Sequence, residues 1–241
     1  MLPLKNIICL VLLIPLLTKQ DDKIISYIAD PKHQDIRFYW KNDSGMLFGD
    51  IQQLKDYLTT RHRKLLFAMN GGMFKPDYSP VGLFIRDRQT LTPLDTAAGT
   101  GNFYLKPNAV LYITTTNEAV ICQTADFRND GAVKFATQSG PMLLIHGDIH
   151  PAFKSGSTNL NIRNGAVILP DGRLLLAMSE APVSFYDFAA FFKGRGCREA
   201  LYLDGFISRT YLPEKHWEQT DGHLGVIIGV SEPAQPAKRG Q

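Results

Sequence analysis

The sequence predicts an α+β fold, in which a single strand-rich domain has a mixed sheet with a few helices packed on it. A length of 241 residues fits one large domain with a sizeable core. The composition, 44% hydrophobic and 20% charged, is typical of globular proteins. Fourteen prolines and twenty glycines separate many short apolar runs, whereas only two segments have helical periodicity. We expect the domain to span residues 21–230, without internal repeats or a clear linker.

Several segments predict strands. An early strand is expected at IRFYW, and NAVLYITTTNEAVICQT predicts two strands joined around Asn117–Glu118. GAVILPDGRLLLAMSE predicts a stronger hairpin, because Pro170, Asp171 and Gly172 supply turn chemistry. The final strand is expected in HLGVIIGV, and the proline-rich residues 231–241 are expected to be a disordered tail.

Two segments predict helices. GDIQQLKDYLTTR places Ile51, Leu54 and Leu58 at i, i+3 and i+7. SFYDFAAFFKGRG places four apolar side chains on one face, namely Phe185, Phe188, Ala189 and Phe192. Ser184 and Asp187 form a start signal for this second helix, and Gly194 and Gly196 supply its stop.

The first 20 residues have the layout of a secretory signal peptide. Lys5 precedes an apolar stretch from Ile7 to Leu17, and polar residues follow. This stretch is shorter than the roughly 20 residues that a membrane-spanning helix needs, so no stable membrane span is predicted. The cleavage site is poor, and a buried N-terminal element is the alternative. We therefore expect an exported protein, periplasmic or extracellular.

Other patterns exclude several classes of function. The net charge of +3, with scattered basic residues, does not favour nucleic acid as a partner. The glycine runs lack a dinucleotide fingerprint and a Walker A lysine, and Ser139 is not in a nucleophile elbow. His146 and His150 lie in a turn-like segment, so no metal site is predicted there. The sequence leaves open whether Cys122 and Cys197 form a disulfide.

Four polar clusters flanked by glycine follow or precede apolar strands. They contain Asn70 and Gly71, Asn102 and Asn108, Ser139 and Gly140, and Arg163 and Asn164. Each alone is typical of a turn. Together they indicate a cleft lined by amides, a guanidinium and carboxylates, which suits a sugar or a phosphate.

Asp204 stands where an apolar strand, residues 200–204, meets Gly205. It is either a turn residue or an active-site acid. Glu180 stands at the end of the second strand of the 165–180 hairpin, and a helix separates the two segments. If the two strands are parallel neighbours, both carboxylates lie at one edge of the sheet.

Several blocks resemble the phosphodiester glycosidase family, and are closest to its bacterial exported branch. These blocks, spread in order over Phe67 to Gly229, are LLFAMNGGMF, SPVGLFI, GNFYLKPNAV, ATQSGPMLLIHGDIHPAF, IRNGAVILPDGRLLLAMSEAPVSFYDFAAFF and ALYLDGFISRTY. The resemblance implies removal of a sugar, N-acetylglucosamine in the best-known case, from a sugar-phosphate diester.

The resemblance also implies site residues. The family's N-G-G-F-F block matches Asn70 to Phe74, its S-G-P block matches Ser139 to Pro141, and its arginine matches Arg163. Its L-D-G-G-G-S block matches Leu203 to Ser208, which keeps Asp204 and Gly205 and aligns Ser208 with the family serine. Phe206 and Ile207 replace glycines there, which leaves the substrate's identity open.

The sequence thus predicts a hydrolase acting on a glycosyl phosphodiester or a related envelope glycan. Asp204 and Glu180 are expected to share the acid and the base or nucleophile roles, and Arg163 to stabilise the leaving phosphate. Residues expected to bind the carbohydrate or sugar-phosphate are Asn70, Gly71, Asn102, Asn108, Ser139, Gly140, Asn164, Gly205 and Ser208. No cofactor is required, although a divalent cation beside the carboxylates is open. The alternatives are a non-catalytic glycan- or peptidoglycan-binding module and a metal-dependent phosphodiesterase. The sequence does not predict the oligomeric state.

Overall fold

A computed structural model describes residues 23–234 of the chain. The signal peptide predicted for residues 1–20 lies outside the described residues, as do residues 235–241. The elements below are numbered in chain order. The described part of the chain has two α-helices, α1 (Ile51–Thr60) and α2 (Phe185–Lys193), together with short 3-10 turns at Asn102–Tyr104 and Pro213–Lys215.

The strands form three sheets. The first has the order β1 (Ile24–Ala29), β12 (Leu174–Ser179), β11 (Asn164–Ile168), β13 (Ala200–Tyr202), β9 (Met142–Ile145), β10 (Asp148–Ile149). The second has the order β15 (Trp217–Glu218), β14 (Thr210–Leu212), β3 (Arg63–Asn70), β16 (Ile227–Pro233), β2 (Asp35–Tyr39). The third has the order β5 (Gln89–Thr92), β4 (Phe84–Arg86), β8 (Val133–Ser139), β6 (Ala109–Thr114), β7 (Ala119–Gln123).

One apolar core lies between the three sheets. Phe67 from the second sheet, Phe135 from the third and Leu176 from the first all belong to it. In a strand, successive side chains point to opposite faces. Leu175 and Ala177 therefore point away from this core and pack with the buried aromatic face of α2. The other helix, α1, covers the outer face of the second sheet in the same way.

Both predicted helices are confirmed, together with the Ser184 start signal predicted for the second. Asp50 caps α1 by accepting the Gln53 N–H at 2.7 Å, and the buried face is the predicted one, Ile51, Leu54 and Leu58. In α2 the Ser184 side chain accepts the Asp187 N–H at 3.0 Å. Both hairpins are confirmed as well, with Asn117 and Gly172 at positive φ in their turns.

The predicted mixed sheet is wrong, because every strand pairing among residues 23–234 is antiparallel. The crossover through α2 does bring two strands into the same direction. Strand β11 lies between β12 and β13 and pairs with each of them antiparallel, so the two are parallel but not adjacent. The tail predicted from residue 231 is also wrong for its first three residues, because β16 continues to Pro233.

Candidate active site

Strand ends from all three sheets meet around Asp204. Asn70 is the last residue of β3, Asn164 is the first residue of β11, and Asp204 lies two residues beyond β13. Ser139, the last residue of β8, donates its hydroxyl to the Leu203 carbonyl at 2.7 Å. Four separately predicted positions are therefore neighbours in space. We call Asn70, Asn164, Asp204, Ser208 and Arg209 the Asp204 cluster.

Two buried asparagine side chains connect the first sheet to the second. The Asn164 amide donates to Asn70 Oδ1 in a short hydrogen bond, and Asn164 Oδ1 accepts the Asp204 N–H at 2.8 Å. Asn70 Oδ1 also accepts the Arg209 N–H at 3.1 Å. Because backbone N–H groups can only donate, these bonds fix which way both side-chain amides point.

The amide nitrogen of Asn70 is a buried donor with no hydrogen-bond partner among the described residues. The side chain cannot be turned over to satisfy it, because the Arg209 N–H needs an oxygen at the other position. Asn70 is only 2% exposed. Buried polar groups are almost always paired, and among residues 23–234 the Asn70 amide shares this exception with the Tyr39 hydroxyl and the indole N–H groups of Trp40 and Trp217. Of these four groups, only the Asn70 amide belongs to the Asp204 cluster.

Asp204 is a buried carboxyl group, 9% exposed. Burial raises its pKa to about 6, and the backbone N–H groups of Phe206, Gly205 and Ile207 oppose that rise. The Phe206 N–H lies 3.0 Å from Asp204 Oδ1. A carboxyl group with a pKa near 6 exchanges its proton close to neutral pH, as a general acid or base must.

The loop after Asp204 is held on both sides. A Cβ on Gly205 would lie 1.8 Å from the Tyr202 hydroxyl, so only glycine fits against that ring. Ser208 donates its hydroxyl to the Asp204 carbonyl at 3.1 Å. Gly71 and Gly140 serve similar close approaches, since added Cβ atoms would lie 2.7 Å from Ile228 and Asn108 respectively. These predicted glycines shape the walls of the site through backbone packing.

The sequence predicts that Arg163 contacts the phosphate of the substrate. In the structure Arg163 lies in the protein interior instead. It is 1% exposed, and its guanidinium stacks 3.5 Å from the Phe185 ring centroid. Its Nε donates to the Val183 carbonyl at 2.9 Å, and Nη2 donates to the Asn159 carbonyl at 2.9 Å. Burial lowers its pKa, and the neighbouring Tyr202 hydroxyl counteracts this effect. The geometry favours support of Tyr202 over direct phosphate contact.

Glu180 does not lie on a strand next to that of Asp204, although the sequence predicts this arrangement. The premise that its strand neighbours that of Asp204 is wrong, because β11 lies between them. Neighbouring strands are about 4.8 Å apart, so β12 and β13 are separated by about 10 Å. The side chain of Glu180 is exposed. A catalytic role for Glu180 stays a prediction.

Two further predicted residues lie on the other side of Gly140. Asn102 is exposed in its 3-10 turn. Asn108 is buried, and its side chain donates to the Phe103 carbonyl at 3.0 Å and accepts from Lys106 Nζ at 3.1 Å. Asn108 also borders a cavity of about 580 Å³ with Lys106 and Thr124. Its side-chain amide holds the 103–108 loop in place, so the expected sugar contact stays a prediction.

Sequence reasoning missed Tyr202 and Arg209. Arg209 follows the family-like block by one residue and carries a guanidinium paired with Asp221 at 2.9 and 3.1 Å. Its side chain is 34% exposed, unlike that of Arg163. Tyr202 looked like an ordinary strand residue, and only the structure reveals that its hydroxyl packs against Gly205.

Residues 23–234 contain neither a metal-binding cluster nor a membrane-spanning helix. No three His, Cys, Asp or Glu side chains are placed to hold a metal ion in this part of the chain. None of its helices is long and apolar enough to cross a membrane. Cys122 and Cys197 are both free thiols.

Comparisons with known proteins connect this geometry to one family. The chain matches the phosphodiester glycosidase family over residues 63–231. It is 32% identical over 221 residues to the uncharacterized protein YigE of Escherichia coli (strain K12), and the match covers 88% of this chain and 86% of YigE.

Solved structures share the fold at low identity. The zebrafish N-acetylglucosamine-1-phosphodiester alpha-N-acetylglucosaminidase catalytic domain, auto-inhibited by its pro-peptide, superposes with a TM-score of 0.55 and 15% identity, over 86% of this chain and 88% of that one. A hypothetical protein from Synechocystis gives 0.56 and 14%, over 86% and 59%. A candidate exported protein from Burkholderia pseudomallei K96243 gives 0.57 and 12%, over 86% and 73%.

Proposed function

The chain belongs to the phosphodiester glycosidase family, and on this premise we propose that it is an exported hydrolase of glycosyl phosphodiesters or related envelope glycans. The proposed reacting group is the carboxyl of Asp204. The observation that carries this proposal is a buried carboxyl, with its pKa raised to about 6, in the same hydrogen-bonded cluster as the unpaired amide donor of Asn70. Perturbed carboxyls and unsatisfied donors are typical of catalytic sites.

The reaction places a water oxygen on the anomeric carbon of the sugar. The bond from that carbon to the phosphate oxygen breaks, and the phosphate leaves as a monoester that keeps the bonding electrons. Above pH 6 the Asp204 carboxylate either takes the proton of the attacking water or attacks the anomeric carbon itself. In the second case water then hydrolyses the bond between the sugar and Asp204, which releases the sugar and regenerates the carboxylate. Because a phosphate monoester is already a stable leaving group, the reaction needs little help from a second, protonated acid.

Neighbouring side chains have separate roles in this proposal. Asn70 Nδ2 donates to an oxygen of the bound substrate, which completes its hydrogen bonding. Arg209 holds the phosphate, because its guanidinium is accessible and exposed ion pairs such as that with Asp221 are weak, at about 0–1 kcal/mol. Arg163 acts through Tyr202, whose hydroxyl packs against the Gly205 backbone beside Asp204.

Glu180 is a weaker second carboxylate than the sequence suggested. A retaining pair of carboxyl groups is about 5 Å apart and an inverting pair about 6.5–9.5 Å apart. The backbones of β12 and β13 are about 10 Å apart and Glu180 is exposed, which favours Asp204 as the main reacting carboxyl. We therefore propose that Asp204 acts without Glu180.

The test is turnover of defined substrates by purified protein. Aryl glycosyl phosphodiesters and UDP-N-acetylglucosamine are incubated with wild type, Asp204→Asn and Asp148→Asn. Asp148 is an exposed aspartate paired with Lys193, and it serves as the matched control. We expect wild type and Asp148→Asn to release sugar equally, and Asp204→Asn to lose about a thousandfold in kcat. Equal turnover by Asp204→Asn would contradict the proposal.

A second candidate is a glycan-binding module that keeps the fold without turnover. Bulky Phe206 and Ile207, where the family resemblance predicts glycines, favour it. Binding of sugar phosphates with no turnover above Asp204→Asn across the panel would support the module. Activity lost in chelator and restored by a divalent ion would instead favour the metal-dependent phosphodiesterase.

A further inference from the structure

Phe206 is the most exposed large apolar side chain of the described residues, at 98%. The other exposed ones between residues 23 and 234 are aliphatic or methionine, and the highest of them is Met46 at 64%. An aromatic ring left entirely in water forgoes the favourable burial that most phenylalanines obtain. Single exposed apolar side chains are common at protein surfaces, so the significance of Phe206 comes from its position two residues after Asp204.

The backbone that carries this ring is well anchored. The Phe206 N–H donates to Asp204 Oδ1 at 3.0 Å, so the ring originates beside the reacting carboxyl. On one side Gly205 packs against the Tyr202 hydroxyl. On the other side Ile207 is partly buried against the apolar cluster beneath α1. Residue 207 thus points inward while residue 206 points outward.

We propose that Phe206 is a substrate-recognition residue whose ring packs against the apolar face of the sugar. This inference rests on the proposed function, because it takes Asp204 as the group that acts at the anomeric carbon. The parts of a glycosyl phosphodiester within one side chain's length of that carbon are the sugar ring and the phosphate. A charged phosphate does not gain from contact with the face of a phenyl ring, whereas the C–H face of a sugar does.

Contact with the sugar would also explain why residue 206 is phenylalanine where the family resemblance predicts glycine. A glycine at 206 would leave the sugar in contact with backbone alone. A phenyl ring there covers one face of the sugar and excludes substrates whose group at that face is too large or charged. Phe206 therefore selects the glycosyl group, while Asp204 carries out the reaction.

Turnover kinetics provide the first test. Phe206→Ala should raise KM about tenfold to a hundredfold for a glycosyl phosphodiester, with kcat little changed, because the contact is made equally in the ground and transition states. Phe206→Trp, which keeps an aromatic face, should restore KM. Met46→Ala, which removes a comparably exposed apolar side chain elsewhere, should leave both constants unchanged. An unchanged KM in Phe206→Ala would overturn the proposal.

A binding measurement separates this inference from the proposed function. Indole fluorescence of Phe206→Trp is followed as N-acetylglucosamine 1-phosphate is added, with inorganic phosphate and UDP as probes that lack the N-acetylglucosamine group. A saturable change with the sugar phosphate alone supports the inference even if wild type turns over no substrate. An equal response to UDP would indicate base stacking, and no response to the sugar phosphate would indicate that the ring does not contact sugar. Either result would overturn it.

Discussion

Two adjacent residues of β8, Gln138 and Ser139, contact two different polar clusters. In one cluster the buried amide makes all of its hydrogen bonds, and in the other a buried amide lacks one within the described part of the chain. The buried carboxamide of Gln138 has all four of its bonds. Its oxygen accepts the N–H groups of Leu83 and Asp95 at 3.0 and 2.9 Å, and its nitrogen donates to the Asp95 carbonyl at 2.7 Å and the Thr124 hydroxyl at 3.1 Å. We call Gln138, Asp95, Thr124 and Asn108 the Gln138 cluster.

The Asp204 cluster, reached through Ser139, is incomplete. It contains an amide nitrogen without a partner among residues 23–234 and a buried carboxyl with a raised pKa, and it carries a fully exposed phenyl ring. A buried unpaired polar group costs about 1–3 kcal/mol of stability. The difference indicates that the Gln138 cluster stabilises the fold, whereas the Asp204 cluster gives up stability at a place where a ligand completes it.

The largest stability contrast should come from pH. The folded pKa of Asp204, about 6, lies above the value of about 3.9 in the unfolded chain. The folded state therefore binds more protons between these values, and the contribution of Asp204 is full below pH 4 and lost as the pH rises through 6. We expect the free energy of unfolding of wild type, relative to Asp204→Asn, to fall by about 2 kcal/mol between pH 4 and pH 7.

Chemical denaturation at a series of pH values measures this difference. Asn108→Ala, in the Gln138 cluster, provides the comparison, because the asparagine it removes does not titrate. Its destabilisation relative to wild type should be the same at pH 4 and pH 7. A wild-type to Asp204→Asn difference that is flat with pH would contradict the raised pKa.

Two buried asparagines allow the comparison to be tested by matched substitutions. Asn70→Ala should lower kcat/KM by about tenfold to a hundredfold for each folded molecule, because it removes the donor assigned to the substrate. Asn108→Ala should destabilise the protein by about 1–3 kcal/mol and leave kcat/KM unchanged. Denaturation curves give the folded fraction for each variant, and initial rates then give kcat/KM.

The reverse pattern would exchange the roles of the two clusters. If Asn108→Ala lost activity and Asn70→Ala did not, the cavity beside Asn108 would become the better candidate for the sugar site.

The smallest effect is expected at Glu180. Because its strand is two positions from that of Asp204 and its side chain is exposed, Glu180→Gln should change kcat less than threefold and leave stability within about 0.5 kcal/mol. Initial rates at saturating substrate over a series of pH values measure the change in kcat. A loss of a hundredfold or more, with one limb of the pH profile removed, would restore Glu180 as the second carboxylate.

Local signals in the sequence predicted much of the fold. The periodic apolar faces of both segments predicted the two helices, and the Ser184 start signal predicted where the second one begins. The Pro170–Gly172 turn likewise determines a hairpin. The antiparallel character of all three sheets was missed, because the order of strands depends on long-range packing that no local pattern contains.

The sequence also predicted part of the candidate site. Asn70, Ser139, Asn164 and Asp204 were selected because polar residues beside glycines end or begin apolar strands, and the structure places them together. The same pattern also selected Asn108, whose amide holds a loop. A pattern of residue types cannot distinguish a satisfied amide from an unsatisfied one, since that depends on partners distant in sequence. Arg209 and Tyr202 were missed for the same reason.

The most direct test of this account measures two properties of Asp204→Asn at pH 7.5, its unfolding free energy and its turnover of a glycosyl phosphodiester. The substitution keeps the oxygen that accepts the Phe206 N–H and removes the buried charge. The account predicts that stability rises by about 3 kcal/mol while kcat falls about a thousandfold. A variant that is less stable than wild type, or that keeps wild-type turnover, would contradict it.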